Sequence, residues 1–317
     1  MSQMSGAVEK AWTMIFPSEL ECRNLISNSQ FLVHYTDYAR EILAANELRL
    51  RNAGKMSDQS EIRIGRTCVD LFLETNAQTL SEALDSIYSR LYVELVDTWQ
   101  SEKEAQIHNS FIACFTTQSS DNSMGSEYHW KHHGKVALCL DPTFLKDEPS
   151  QLSLYLVKVT YGETAVMTGL NKLLNILQTQ RNLFQAVPRD ILLSFLRHKL
   201  FFVSVASKLD GFSNEREWRL VHAPFLFASA DVISGQRVYQ NGLEEVYLLK
   251  METPSGSNLS SLATPSLVRK VLIHPEIKGS APDIQRDIVA QLRYHGAEDA
   301  RYRVRIVENS PPSEIQD

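Results

Sequence analysis

The sequence has few cysteines, no paired cysteine motif and no excess of basic residues. Four cysteines are spread over 317 residues and none forms a CxxC pair, so neither a zinc ribbon nor a disulfide scaffold is expected. Acidic residues outnumber basic residues by 38 to 32. This balance excludes nucleic-acid binding driven mainly by bulk positive charge, although a local basic groove is still compatible with it.

Long apolar runs are also missing from the sequence. The nearest candidate, residues 191–209, is interrupted by Arg197, His198, Lys199 and Lys208. The N-terminal residues show no basic stretch followed by an apolar one, so no signal peptide is expected. These features predict a cytoplasmic protein with reduced thiols and no membrane contact.

Strand and helix patterns are both present, and they do not alternate strictly. Apolar residues make up 43% of the chain and charged residues 22%, as in folded globular proteins. Helical spacing dominates residues 66–106 and 168–200. Strand patterns occur in FLVHYT, LRLRNA, SFIACFT, KVALCLD, SLYLVKVTY, WRLVHA, EEVYLLKM, VRKVLIHP and RYRVRIVENS. The mixture predicts an α+β fold with a mixed, mainly antiparallel central sheet flanked by helices.

No repeat or linker divides the chain. We therefore expect a helical preface over residues 1–30, one α+β domain over 31–310 and a polar tail over 311–317. Asp37 is expected to cap the helix that follows FLVHYT.

The first candidate segment is His34-Tyr35-Thr36, at the end of a predicted strand. Side chains two residues apart on a strand point to the same face, so His34 and Thr36 could both bind a polyhydroxyl ligand such as a ribose. The alternative is a half-buried strand end whose threonine starts the next helix.

The second candidate segment runs from Lys55 to Glu61. Asp58 and Glu61 would share a face if the loop turns helical, and they could polarise a hydroxyl or orient His34. The pattern is more typical of a capping box, with Ser57 or Asp58 as the N-cap.

The third candidate segment, Glu127–Gly134, is dense in aromatic and imidazole groups. Tyr128 or Trp130 could stack on a planar ligand, although core packing is the commoner role of such residues. The spacing of three histidines would suit a metal on a helix, but no HExxH pattern is present and a solvated helix end is favoured. These histidines are His129, His132 and His133.

The fourth candidate segment is Asn214–Arg219, directly before an apolar strand. Glu215, Glu217 and Arg219 alternate, so on a strand they would line one face. Such a row is costly to bury without partners, whereas on an exposed face it would form a weak surface ion pair. Two nearby carboxylates also shift one pKa upward, an arrangement that suits acid–base chemistry.

Taken in order, these segments resemble the domain-of-unknown-function family 2971, over roughly residues 31–310. The resemblance begins with HYTDYAREIL and a partial match of SDQSE to the family's Asn-Asp-Pro-x-x-Glu turn. It continues with the strand Phe111–Thr116 and with MGSEYHWKHHGKVALCLD, where Gly125 takes the place of the usual tryptophan. It ends with VRKVLIHP, VRIVENS and a late cluster made of Lys208, Phe212, Glu215, Glu217 and Arg219.

An opening His-x-Thr strand, a middle Phe strand and a late Glu are also similar to the three-part signature of ADP-ribosyltransferases. This resemblance implies that NAD is the substrate and that the acceptor is a nucleic acid or a protein, in bacterial defence or toxin activity. It implies that His34 and Thr36 bind ribose and that Tyr128 stacks on nicotinamide. Tyr35 and Trp130 are further aromatics of the same ligand site.

The same resemblance assigns the charged residues. Glu217 is the implied catalytic carboxylate, with Glu215 beside it, because cleavage of the glycosidic bond builds positive charge on the ribose. Arg219 pairs with a phosphate or with Glu215. Two other functions fit the residues: a nucleotide-sensing module without turnover, and a nucleic-acid-directed hydrolase or glycosylase.

Overall fold

The computed structural model describes residues 6–17, 25, 28, 30–55, 59–119, 125–145, 154–225, 233–239, 242–252 and 262–307. Within these residues the fold is α+β, with a mainly antiparallel sheet that has helices on both faces. The predicted fold class is confirmed at this level.

Most strands belong to one large sheet. The strands are β1 (Gln30–Thr36), β2 (Glu47–Asn52), β3 (Phe111–Ser119), β4 (Val136–Leu140), β5 (Leu154–Lys158), β6 (Thr160–Tyr161), β7 (Ser207–Lys208), β8 (Trp218–His222), β9 (Ile233–Tyr239), β10 (Gly242–Lys250), β11 (Val268–Ile273) and β12 (Val304–Ile306). The longest path through the large sheet runs β12-β11-β4-β1-β3-β2-β10-β9, while β8 pairs with β3 and β5 pairs with β8. Only the β11–β12 ladder of this sheet is parallel among the described pairs, and β6 and β7 form a separate parallel pair.

The helices form two unequal layers. The helices are α1 (Gly6–Ile15), α2 (Ala39–Ala45), α3 (Gln59–Thr75), α4 (Ala77–Ile87), α5 (Leu91–His108), α6 (Glu127–His132), α7 (Glu163–Thr179), α8 (Arg181–Gln185), α9 (Arg189–Val205), α10 (Thr264–Leu267), α11 (Ala281–Tyr294) and α12 (Ala300–Arg303). Apolar side chains of α1, α3, α4, α5, α7, α8 and α9 share one core, whereas those of α2, α10, α11 and α12 pack in another.

The long helical region predicted over residues 66–106 is three helices rather than one. The breaks fall at Asn76 and before α5, where Arg90 has a left-handed backbone with φ of 61°. A left-handed residue cannot continue the hydrogen-bond ladder of a right-handed helix, and apolar periodicity alone does not reveal it. The second predicted helical region, residues 168–200, is also divided: α8 ends at Gln185 and α9 begins at Arg189, directly after Pro188, a residue that interrupts helices.

The expected capping role of Asp37 is wrong. The helix α2 begins at Ala39, and the Asp37 carboxylate instead accepts a hydrogen bond from the backbone N–H of Lys135 at 2.8 Å. The same helix ends at Asn46, which adopts φ of 55°. Asp37 therefore ties the end of β1 to the start of β4 rather than to its own helix.

The predicted last strand is shorter than its alternating pattern suggests. Residues Ala300–Arg303 form the short helix α12, and only Val304–Ile306 pair with β11. Ser57, Asp58 and the polar tail over residues 311–317 lie outside the described residues, whereas Glu61 falls within α3.

The strand β3 is the place where the two halves of the sheet separate. β1 pairs with it from Thr116 to Ser119, and β2 pairs with it only at Phe111 and Ile112. On the opposite edge β8 pairs continuously from Phe111 to Phe115. Among the described strands, neither β1 nor β2 covers residues 113–115, so the edge of β3 that faces away from β8 has a gap there.

The backbone direction identifies which groups enter this gap. The Ala53 N–H donates to the Ser110 carbonyl at 2.9 Å, so residue 110 faces the β2 edge. Main-chain groups alternate between the two edges of a strand, so residue 114 faces the same edge. The N–H and C=O of Cys114 therefore point into the gap between β1 and β2.

None of the helices in the described part of the chain combines the length and the apolar character that crossing a bilayer requires.

Two glycines in helix interiors are expected to respond oppositely to substitution. A Cβ at Gly65 would clash with the backbone carbonyl oxygens of Val203 and Ser204, so Gly65→Ala should destabilise the protein by about 1–3 kcal/mol. No heavy atom of the described residues lies within 4 Å of a Cβ built at Gly169, so Gly169→Ala should stabilise it by about 1 kcal/mol. Urea unfolding midpoints measure both changes, and shifts in the same direction would contradict this packing.

Candidate functional site

A cavity of about 430 Å³, called here the β3 cavity, lies at the gap in the sheet. It is lined by the end of β1, by β2, by the unpaired part of β3, by α6 and by the segment between β7 and β8. Such a volume is within the range of small-molecule sites, about 300–1,000 Å³. Its polar and charged lining residues are His34, Tyr35, Arg49, Arg51, Cys114, Thr116, His129, His133, Lys208, Glu215 and Glu217.

Alternation along β2 explains why two arginines reach the cavity. Leu48 and Leu50 are buried, whereas Arg49 is half-buried and Arg51 is exposed. Successive side chains of a strand point to opposite faces, so burying the leucines turns both arginines to the other face. Arg49 and Arg51 thus add two positive charges to the β3 cavity.

His34 lines the cavity from β1 and is anchored to β3. Its Nδ1 lies 3.0 Å from the Cys114 carbonyl oxygen, which accepts a hydrogen bond only from a protonated nitrogen. Burial lowers the pKa of His34 despite this bond. The neutral imidazole then carries its proton on Nδ1, which leaves Nε2 as an acceptor.

The floor of the cavity is a buried chain of four charges. Lys208 Nζ contacts Glu215 Oε2 and lies 2.8 Å from Glu217 Oε2. Glu217 Oε1 accepts a hydrogen bond from Arg219 Nε at 2.8 Å. The Arg219 side chain has no exposure to solvent and also donates to the Val205 carbonyl oxygen at 2.6 Å. Two cations and two anions therefore compensate one another in the order Glu215, Lys208, Glu217, Arg219.

The two carboxyls are shifted in opposite directions. Burial alone would raise the pKa of Glu217, but the Arg219 and Lys208 charges outweigh it and lower this pKa to about 2. Burial raises the pKa of Glu215 above its usual value, although the Lys208 ammonium opposes the shift. At neutral pH Glu217 is thus held ionised, while Glu215 is the carboxyl that takes up a proton more readily.

The strand predicted as WRLVHA begins at Trp218, so Glu215 and Glu217 lie before it rather than on it. Glu215 ends a 3-10 turn (Asp210–Glu215), and Arg216 has a left-handed backbone with φ of 46°. The Glu217 N–H then donates to the Tyr161 hydroxyl at 2.7 Å. The turn at Arg216, rather than strand alternation, brings both carboxylates to Lys208.

Helix α6 supplies two histidines to the other wall. His129 Nε2 lies 3.0 Å from the Glu215 carbonyl oxygen, and His133 Nε2 lies 3.6 Å from Glu215 Oε1. Burial and the neighbouring His129 and Lys208 charges lower the pKa of His133 to about 4. The Tyr35 ring stacks on His129 at 4.9 Å between centroids, which connects α6 to β1. At neutral pH His133 is therefore an uncharged neighbour of Glu215.

Not every predicted site residue lines the β3 cavity. His34, Tyr35, Glu215 and Glu217 do, whereas four others lie elsewhere: Thr36, Tyr128, Trp130 and Arg219. The Thr36 hydroxyl accepts the Tyr38 N–H at 3.0 Å, as the alternative interpretation of that strand end expected. Trp130 is buried against the Tyr35 ring, with centroids 4.8 Å apart.

The predicted ligand roles of Arg219 and Tyr128 do not fit their positions. Arg219 is fully buried behind Glu217, where it holds that carboxylate instead of a phosphate. The Tyr128 ring faces His132, at 4.7 Å between centroids, on the outer part of α6. Tyr35 is the predicted aromatic that reaches the cavity.

Arg49, Arg51 and His133 were not singled out as ligand contacts from the sequence. The alternation in LRLRN was a usable signal for the arginines, since it separates them from the leucines. Cys114 also lines the cavity, and burial together with the neighbouring Glu217 carboxylate raises the pKa of its thiol. Across the described ranges, no group of three or more His, Cys, Asp or Glu side chains is placed to hold a metal ion.

Removing the Lys208 ammonium would leave Glu215 and Glu217 facing each other without their shared counter-charge. Lys208→Met should lower the free energy of unfolding at pH 7 by about 3–5 kcal/mol, the cost of breaking a buried ion pair. In the folded variant the pKa values of both carboxyls rise, so the loss of unfolding free energy should be smaller at about pH 5 than at pH 7. Urea unfolding at both pH values measures this, with the exposed Lys278→Met as the control. An equal loss at both pH values would contradict the shared-charge arrangement.

Comparison with protein-family models, with curated proteins and with solved structures found no match to this chain. The charges and geometry of the β3 cavity are therefore the features from which the function is inferred.

Proposed function

We propose that the protein binds NAD in the β3 cavity and cleaves its nicotinamide–ribose bond, transferring ADP-ribose to an acceptor. The observation that carries this proposal is the buried, ionised Glu217, which lines one cavity together with His34 and two arginines. The resemblance to family 2971 and to ADP-ribosyltransferases points to the same chemistry and belongs to the same proposal.

Glu217 is the proposed catalytic carboxylate. As the bond from C1′ to the nicotinamide nitrogen breaks, the electron pair leaves with nicotinamide and positive charge develops on the ribose ring. A carboxylate already ionised and fixed in place stabilises that charge without reorganising. The acceptor then bonds to C1′ and releases its proton to solvent, while Glu215, which shares Lys208 with Glu217, is the proposed positioning group for the catalytic carboxylate.

The remaining lining residues suit the other parts of NAD. Arg49 and Arg51 are the proposed partners of the pyrophosphate, because guanidinium groups bind phosphate oxygens in pairs. His34 Nε2 is the proposed acceptor for a ribose hydroxyl. Tyr35 lines the cavity, but its ring already stacks on His129 and packs against Trp130, so it is proposed as a wall of the nicotinamide site rather than as a stacking partner.

A neighbouring cavity offers a place for the acceptor. It has a volume of about 530 Å³, and Glu217 lines it together with Tyr161, Arg216 and Trp218. A transfer reaction needs donor and acceptor on two sides of the reacting carbon, and Glu217 borders both spaces. The cations of this second cavity, Lys158 and Arg216, favour an acceptor with negative charge, such as a nucleic acid or an acidic protein segment.

A second candidate function is nucleotide sensing without turnover. It is favoured by the partners of Glu217, since Oε1 bonds to Arg219 and Oε2 lies 2.8 Å from Lys208. A carboxylate that already compensates two cations has less negative potential to offer a developing ribose cation.

The substitution that separates these functions is Glu217→Gln. We expect nicotinamide release from NAD to fall by about 100-fold or more, because the electrostatic stabilisation of the ribose cation is lost. Mass spectrometry of nicotinamide, with and without bulk nucleic acid and cell lysate, measures the release. The exposed Glu298→Gln serves as the control and should match the wild type, and thermal unfolding checks that Glu217→Gln, which leaves Arg219 without its counter-charge, is folded under the assay conditions.

Three outcomes of this experiment are informative. Release that persists in Glu217→Gln would remove Glu217 as the catalyst. No release from the wild type, with an NAD-dependent rise in Tm, would favour the sensor. Neither release nor stabilisation would refute NAD binding altogether.

The arginines of β2 can be tested by binding alone. Arg49→Gln and Arg51→Gln should each weaken NAD binding by about 10- to 100-fold, the usual effect of losing one charge-assisted contact. Calorimetry with NAD and with nicotinamide riboside checks the assignment, since the riboside lacks the pyrophosphate and should be affected much less. The exposed Arg293→Gln is the matched control, and equal losses for both ligands would contradict pyrophosphate binding.

A further inference from the structure

A separate cavity of about 380 Å³ lies between α1, α7, α9 and the edge formed by β5 and β6, and is called here the lysine cavity. As far as the described residues line them, it shares no residue with the β3 cavity. Most of its wall is apolar, including Ile15, Phe16, Val166, Leu173 and Phe202.

Positive charge converges on this apolar space. Lys172 and Lys199 line it from two different helices, and the described lining includes no carboxylate. Lys199 Nζ lies 5.9 Å from the centroid of the Phe16 ring, and burial lowers the pKa of Lys199 to about 8. Two ammonium groups beside an apolar space repel each other, and a bound anion would relieve that repulsion.

A glycine lies on one wall of the cavity. Ala165, Gly169, Lys172 and Ile176 follow one another at helical spacing along the lining face of α7. Gly169 is exposed on this face, and no described heavy atom lies within 4 Å of the position of its missing Cβ. A larger side chain at this position therefore has room to extend over the cavity without disturbing the core.

We infer that the lysine cavity is a binding site for an amphipathic anion, a molecule with a carboxylate head on an apolar body. The head group would contact Lys172 and Lys199, and the body would pack on the apolar wall. This inference does not depend on the proposed NAD chemistry, because the two cavities have separate linings.

Calorimetry with sodium decanoate as the probe tests the inference on the full chain. We expect decanoate to bind the wild type. Decanol, which lacks the charge, should bind at least about tenfold more weakly. Lys199→Met removes the charge and Gly169→Leu fills the space, so each should weaken decanoate binding by about tenfold or more. Lys278→Met, at an exposed position, is the control and should leave the affinity within about twofold.

The same measurements can overturn the inference. Absence of decanoate binding to the wild type would refute it, and so would unchanged affinity in both Lys199→Met and Gly169→Leu. Decanol binding as tightly as decanoate would show a merely apolar pocket, and inorganic phosphate binding as tightly would show a simple anion site. Thermal unfolding checks that the variants fold, since Lys199→Met removes a desolvated charge and should not lower Tm. Nicotinamide release should stay at the wild-type level in both variants, whatever that level is.

Discussion

A guanidinium with no access to solvent is the constraint on which the rest of the site depends. Arg219 is buried on β8, where an uncompensated charge would be prohibitively costly. Glu217 supplies the compensating charge, and the Val205 carbonyl takes a further donor. The carboxylate is thereby fixed and ionised before any ligand arrives. Lys208 lies between Glu217 and Glu215 and compensates both carboxylates. The charges that line the β3 cavity therefore depend on Arg219, which is buried behind them.

Local backbone geometry brings these charges to one point. The end of α9 provides the Val205 carbonyl, and β7 then places Lys208 against the two carboxylates. The left-handed Arg216 reverses the chain between Glu215 and Glu217. On the opposite wall, the gap between β1 and β2 along the edge of β3 leaves room for the His34 side chain. The helical layer and the split sheet thus each contribute one side of the cavity.

Local patterns predicted the strands well, because a few consecutive residues are enough to show the alternation of apolar and polar side chains or a short apolar run. They also placed Glu215 and Glu217 near each other, although both residues lie before β8 and not on a strand. What they missed depends on distant parts of the chain. The residues LRLRN do not indicate that β2 pairs with β10 and with β3. This pairing is what brings Arg49 and Arg51 to the gap. The depth of Arg219 likewise depends on the packing of helices far away in sequence.

The gap along the edge of β3 makes part of the cavity independent of side-chain identity. The groups that Cys114 presents there are main-chain groups, and His34 bonds to one of them. A substitution at this position would change the thiol but would leave the amide and the carbonyl where they are. A ligand that hydrogen-bonds to these groups would therefore depend on the path of the backbone rather than on the identity of the side chain at position 114.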